Sequence, residues 1–297
     1  MRRGLVAAIG IAALAGAWSA SAAPAADVPA AIYADPSPDS AHPARMEVLH
    51  IPSGGVEING VAYVASGAGP HPTVILLHGL PGNEKNLDLA QAIRRDGWNA
   101  VTFNYRGSWG SPGVFRFGQN LEDADAALAY LRDPANMRAL GVDARCIVMI
   151  GHSMGGWVTV NTAAHHPELA GLATISAGDM AGLGAAPRAI RVKEMADNME
   201  SLAGVTAESM ADDVTSVSKY PMAGAAAGLA KTPYLALTSD DGLAPNTDAL
   251  VKAIRAAGGT QVTTLHVATD HSWSDRRIAL EAAVLTWLET LRAARGC

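Results

Sequence analysis

Ser153 stands among glycines in Gly151-His152-Ser153-Met154-Gly155-Gly156, directly behind the apolar run Cys146-Ile147-Val148-Met149-Ile150. A serine at the tip of a tight strand-to-helix turn needs small neighbours, because side chains at the flanking positions would collide with the strand or with the start of the helix. Such a turn lifts the hydroxyl out of the backbone toward a cleft, at the positive end of the following helix. This is how a nucleophile is presented. Taken alone, however, the glycine–serine pattern is also an ordinary turn, so the reading depends on whether a base and an acid follow in the right places.

Both do. In a sheet of alternating strands and helices, the base is expected on the loop after the last strand and its orienting carboxylate on the loop after the preceding one. Asp270-His271-Ser272-Trp273 follows the apolar run 261–267, and Asp240-Asp241-Gly242-Leu243-Ala244-Pro245 follows the run 234–238. The order Ser153, Asp241, His271 is therefore the one expected in such a sheet, and the three supply what acyl transfer needs: a hydroxyl nucleophile, a carboxylate that holds the imidazole, and an imidazole that takes the proton. A tetrahedral oxyanion also needs fixed donors. The Met154 N–H supplies one. His78-Gly79-Leu80-Pro81-Gly82-Asn83, directly behind the run 73–77, supplies the other through the Leu80 N–H, since Pro81 has none to give.

The elements that must position these residues alternate along the chain. Residues 46–51 and 56–64, joined through Ser53-Gly54-Gly55, read as a hairpin. Strands are then expected at 73–77, 100–104, 146–150, 171–176, 234–238 and 261–267. Helices are expected at 86–95, at 121–131, after Ser153, and at 275–295. The fold class is thus α/β, with a mostly parallel sheet covered on both faces and ligands bound at the carboxyl ends of the strands. Residues 178–231 break the rhythm, being far longer than one crossover helix requires. Val192, Met195, Met199 and Leu202 recur there at helical spacing behind Pro187, and a short helix is expected after Thr206. This segment is read as an inserted helical cap. Its five methionines, Met180, Met195, Met199, Met210 and Met222, fit either an adaptable substrate surface or packing against the body, with packing the simpler account.

With these motifs in place, the chain from residue 46 to 297 resembles the α/β-hydrolase superfamily, in the branch of serine esterases, dienelactone-hydrolase-like enzymes and prolyl-oligopeptidase-type peptidases. The resemblance rests on His78-Gly79-Leu80-Pro81-Gly82, Asn104-Tyr105-Arg106-Gly107, the serine turn, 241–245 and Asp270-His271. It implies the α/β-hydrolase fold, a Ser153–His271–Asp241 triad, and an oxyanion hole from Leu80 and Met154 N–H, with no cofactor and no metal. It does not carry a substrate, because one site serves many chemistries in this superfamily. The superfamily's spacing of an acid four residues before a proline selects Asp241 over Asp240. Asp179 is a competing acid, since some relatives hold the carboxylate after the strand that precedes the cap. His152 is expected to be structural and His78 to brace its loop. His165 and His166 are expected at a helix end, without neighbouring acids for a metal. Arg106 resembles a loop-bracing arginine, with a plain surface charge as the alternative. A carboxylic ester is the expected substrate. The alternatives are a short peptide or amide, with Glu194, Glu200 or Glu208 anchoring a free amine, and a non-catalytic binding protein on the same frame. Dehalogenases and epoxide hydrolases want an aspartate where Ser153 stands.

Composition bounds the rest. The 297 residues, 49% hydrophobic, suffice for one large domain. Met1-Arg2-Arg3, an uncharged run to Ala17 and Ala20-Ser21-Ala22 read as an export signal over 1–22, with either general or twin-arginine export, and hence a periplasmic or secreted protein with no stable membrane span after cleavage. Loss of that segment takes the formal net charge from -6 to -8. No basic stripe is present, which argues against a nucleic-acid partner. Residues 23–45, with Pro36, Pro38 and Pro43, read as a tether. The two cysteines, Cys146 and Cys297, are expected at the same end of the sheet, where an exported protein would either join them or leave Cys146 as a buried apolar residue.

Overall fold

The computed structural model describes residues 28–296. Its eight strands are β1 (Arg45–Ser53), β2 (Val56–Val64), β3 (His71–Leu77), β4 (Asn99–Phe103), β5 (Val142–His152), β6 (Gly171–Ile175), β7 (Tyr234–Ser239) and β8 (Val262–Val267). They form one sheet in the order β1-β2-β4-β3-β5-β6-β7-β8. β1 and β2 form an antiparallel hairpin that joins β4 antiparallel, and every later pairing is parallel. The central strands lie between helices on both sides. That is why β3 and β5 read as unbroken apolar runs rather than alternating ones: Cys146 through His152 are all buried.

The helices are α1 (Leu87–Arg95), α2 (Phe117–Arg132), α3 (Pro134–Leu140), α4 (Met154–Ala163), α5 (Met180–Ala185), α6 (Arg188–Ala196), α7 (Ala207–Asp213), α8 (Ala226–Leu229), α9 (Ala244–Ala256) and α10 (Arg277–Arg295). One core layer packs α1 and α10, through residues such as Ile93, Val284 and Leu288, against one face of the sheet. The other packs α2, α4, α9 and the cap, through Leu128, Trp157, Ile254 and Met195, against the opposite face. α3 lies where the sequence offered no strong periodicity. It forms because Pro134 occupies its first turn, the Asp133 carboxylate accepts from Ala135 N and Asn136 N, and Gly141 closes it in the left-handed region. None of these helices is long and apolar enough to cross a membrane among the described residues.

Residues 178–231 hold α5 to α8 and two short 3-10 turns between β6 and β7. α6 ends at Ala196, so Met199 and Leu202 lie beyond it rather than on its face, a shorter helix than their spacing implied. Thr206 caps α7 in a reciprocal box with Ser209. Met180, Met195, Met210 and Met222 are buried, so they fasten the cap to the body. The cap is also stitched to the segment after β4: Trp109 N–H donates to Ser201 O, Ala203 N–H to Gly107 O, and Phe115 N–H to Ala203 O.

The described part of the expected tether is not a free linker. Residues 30–32 form a 3-10 turn whose Ala31 and Ile32 pack against the α1–α10 layer, and the Arg95 guanidinium donates to both of their carbonyls. Farther along, His42 O accepts from Gly67 N–H. Sequence periodicity could not show this, because one short turn with two apolar residues and two carbonyl acceptors is too brief to set a hydrophobic period. The expected export signal at 1–22 lies outside the described residues. Cys146 is buried at the inner end of β5 and is not a free thiol, while Cys297 lies outside the described residues.

Candidate active site

Ser153 follows β5 and precedes α4 with φ 56° and ψ −123°, a left-handed conformation that a non-glycine residue adopts only when its surroundings impose it. The neighbouring glycines show what imposes it. A Cβ at Gly151 would overlap the Gly155 carbonyl oxygen, and one at Gly155 would overlap the Leu77 carbonyl oxygen. The strand and the helix start therefore meet at backbone distance, and the serine is pushed out at the apex. Its carbonyl accepts from Gly156 N–H and Gly178 N–H, at 2.9 and 3.1 Å, which ties the apex to α4 and to the end of β6.

The loop after β3 runs beside this apex. A Cβ at Gly79 would stand 2.7 Å from Ser153 Cβ and 3.2 Å from Ser153 Oγ, so only glycine permits the approach. Leu80 comes next. Its N–H donates to no protein acceptor among the described residues. Met154 is the first residue of α4, where an N–H has no intrahelical partner. The loop is braced from behind by His78, whose ring Nδ1 lies 2.8 Å from Gly79 O and so carries the proton. Burial, helped by the nearby Lys85 cation, lowers the His78 pKa to about 4 and keeps that ring neutral. Trp109, itself left-handed at φ 48°, donates its indole N–H to Pro81 O at 2.8 Å.

Asp241 lies just beyond β7 and His271 beyond β8, and His271 Nδ1 is 2.7 Å from Asp241 Oδ2. The other carboxylate oxygen accepts from Leu243 N–H at 2.9 Å. Burial works to raise the Asp241 pKa, but the hydrogen bonds from His271 and Leu243 outweigh it and hold the carboxyl below its ordinary value. Asp241 thus accepts a proton from Nδ1, which fixes the tautomer that leaves Nε2 as the basic nitrogen. No hydrogen bond joins Ser153 Oγ to His271 Nε2 among the described residues. In substrate-free sites this contact is commonly loose and tightens when substrate binds.

The competing residues are placed elsewhere. Asp240 Oδ1 lies 3.0 Å from His266 Nε2 at the surface. Asp179 caps α5, accepting from Ala181 N–H and from Met222 N–H. Glu194, Glu200 and Glu208 are exposed on the cap. Arg106 is buried, not a surface charge: its guanidinium pairs with Asp123 and Glu122 and its N–H donates to Asp123, which braces the turn after β4. His166 corrects the expectation that acids are lacking nearby, since Asp125 and Glu168 each lie 3.0 Å from one of its ring nitrogens. Even so, no cluster of three or more suitable side chains is placed to hold a metal among the described residues.

Two supports went unassigned in the sequence. Trp109 holds the loop after β3, and the buried Trp273, two residues after His271, donates its indole N–H to Ser176 Oγ at 3.1 Å. A buried tryptophan must find an acceptor for its N–H, and that was the available signal.

The 8-stranded, mostly parallel sheet thus carries a serine at the apex after its fifth strand. The model of the alpha/beta hydrolase fold matches residues 72–207. The chain has the α/β-hydrolase fold. Among solved α/β hydrolases, an esterase of Pyrobaculum calidifontis superposes with a TM-score of 0.65 at 19% identity, covering 86% of this chain and 88% of that one. A thermophilic carboxylesterase cloned from a metagenomic library gives 0.61 at 19%, covering 85% and 90%. A putative dienelactone hydrolase from Klebsiella pneumoniae gives 0.55 at 17%, covering 83% and 98%. At such identities the likeness is one of fold. An uncharacterised protein of Mycobacterium tuberculosis is 29% identical over 136 residues, 46% of this chain, and the match spans about half (47%) of that relative's length.

Proposed function

We propose that this α/β hydrolase is a serine hydrolase that cleaves a carboxylic ester through an acyl-enzyme. Ser153 Oγ attacks the ester carbonyl as His271 Nε2 takes its proton. Asp241 steadies the imidazolium through Nδ1, and the Leu80 and Met154 N–H groups bind the oxyanion. His271 then returns the proton to the leaving alkoxide, and water, deprotonated by the same nitrogen, releases the acid. The observation that carries this reading is the 2.7 Å Asp241–His271 contact beside a serine held in a strained turn. The esterase neighbours agree with ester chemistry. We place the working enzyme in the periplasm or outside the cell, on the strength of the N-terminal sequence alone.

A fluorophosphonate probe should label Ser153, and Ser153→Ala should lower kcat for a chromogenic ester by about four to six orders of magnitude with the melting temperature little changed. Full turnover by Ser153→Ala would end the proposal. Export is tested separately, by the N-terminal residue of protein recovered from a periplasmic fraction; a mature chain that still begins at Met1 rejects it.

A further inference from the structure

His152, next to the nucleophile, takes no part in the chemistry just described, yet it is the residue that joins the two halves of the site. It is the last residue of β5 and is buried. Its ring Nε2 lies 2.9 Å from the main-chain carbonyl oxygen of His271. A carbonyl only accepts, so Nε2 carries the proton and Nδ1 is left as a bare acceptor, buried and without a partner. The two imidazole rings also touch, with centroids 4.7 Å apart and planes inclined at 46°. A buried polar atom left unpaired costs free energy, which a phenylalanine or leucine at this position would avoid.

We propose that His152 is a positioning residue: its N–H fixes the His271 backbone and its ring limits the rotation of the His271 side chain, keeping Nδ1 on Asp241 and Nε2 toward Ser153. This role rests on the triad reading given above. The nucleophile's strand thereby sets the place of the base directly, across 119 residues of sequence. The donor must be neutral and singly oriented to do so, and the surroundings provide that. Burial first, then the adjoining His271 and the Arg277 cation, lower the His152 pKa to about 4, with only Asp241 and the hydrogen bond to His271 opposing.

Three variants separate the parts. His152→Gln places an amide N–H near the position of Nε2, His152→Phe keeps a ring but removes the donor, and His152→Asn carries a donor too short to reach the carbonyl. With Ser153 left in place, His152→Phe and His152→Asn should lower kcat/KM about 10- to 100-fold, mostly in kcat, while His152→Gln stays within about fivefold of the parent. The acid limb of the rate profile should move to lower pH in His152→Phe and His152→Asn, because an imidazolium that loses Asp241 is less stable, and should return in His152→Gln. The downfield proton resonance of the His271 Nδ1–H to Asp241 bond should weaken in the same two variants. That resonance needs no turnover, so it is read even if no ester is cleaved and the triad reading fails. Should His152→Phe not fold, His152→Asn carries the test. Equal losses in all variants with an unmoved acid limb, or an unchanged resonance in His152→Phe or His152→Asn, would overturn the role.

Discussion

Two histidine–aspartate pairs stand side by side at the ends of β7 and β8, made from the same residue types and nearly the same stretch of chain. In the outer pair, His266 Nε2 lies 3.0 Å from Asp240 Oδ1, with the side chains 50% and 62% exposed. In the inner pair, His271 Nδ1 lies 2.7 Å from Asp241 Oδ2, with the side chains 38% and 5% exposed. Thr238 Oγ1 sits 3.0 Å from His266 Nδ1, so both nitrogens of the outer ring have a hydrogen-bond partner. The inner ring has one nitrogen committed and the other uncommitted. The carboxylates show the same contrast, since water screens Asp240 whereas the Asp241 carboxylate is enclosed and bonded to both the His271 ring and the Leu243 N–H. Residue type does not separate the two pairs; a covered carboxylate and an uncommitted ring nitrogen do.

This contrast can be broken most directly at the acids. Asp241→Asn should lower kcat/KM about 10³- to 10⁴-fold, because the amide no longer holds the productive tautomer, whereas Asp240→Asn should stay within about twofold. A comparable loss at both positions, or a larger one at Asp179→Asn, would remove the distinction. A second test uses burial. His78 and His152 are enclosed and lowered to about 4, while their unfolded values are ordinary, so between pH 6.5 and 4 the unfolded chain binds more protons than the folded one. Their stability contribution is full above about pH 6.5 and is lost as pH falls toward 4, on the order of 3 kcal/mol for each at the limit. Urea unfolding at pH 7 and pH 4.5 should show this slope, and His152→Gln should flatten part of it; an unchanged slope would mean that the ring protonates freely in the native state. The smallest effect belongs to the outer pair. His266→Gln should change unfolding free energy by less than about 1 kcal/mol and leave the rate profile alone. A shifted profile would show that the outer histidine is coupled to the base after all.

Much of the fold was legible because its signals were local and repeated. The alternation of apolar runs with helical spacing marked the sheet, and the glycines of the elbow announced a backbone approach that the structure then displays at Gly151 and Gly155. Ser153, His271 and Leu80 stood out as candidates because each sits within a few residues of a strand end. The choice between the two aspartates was less legible. Asp240 and Asp241 are adjacent, and only the direction in which the loop turns after β7 buries one and exposes the other. His266 gave no sign of its pairing, because a histidine inside a strand looks like any other edge residue until its cross-strand neighbours Thr238 and Asp240 are known. The same holds for Arg106, whose burial depends on Asp123 and Glu122 arriving from α2. The docked segment at 30–32 and the early end of α6 were hidden for a related reason: carbonyl capping and helix termination carry little hydrophobic period.

The stitching of the cap to the segment after β4 bears on how the site admits a substrate. Because Trp109, Ala203 and Phe115 donate across that seam, and the Trp109 indole also grips Pro81, the edge of the 178–231 segment and the loop after β3 form one truss. Were that segment to swing open like a hatch, it would shear those bonds, each worth about 1 kcal/mol net, and drag the loop after β3 with it. A seam that holds during turnover predicts that the amides of Ala203 and Phe115 exchange with solvent as slowly in free protein as in protein treated with a small acylating ester.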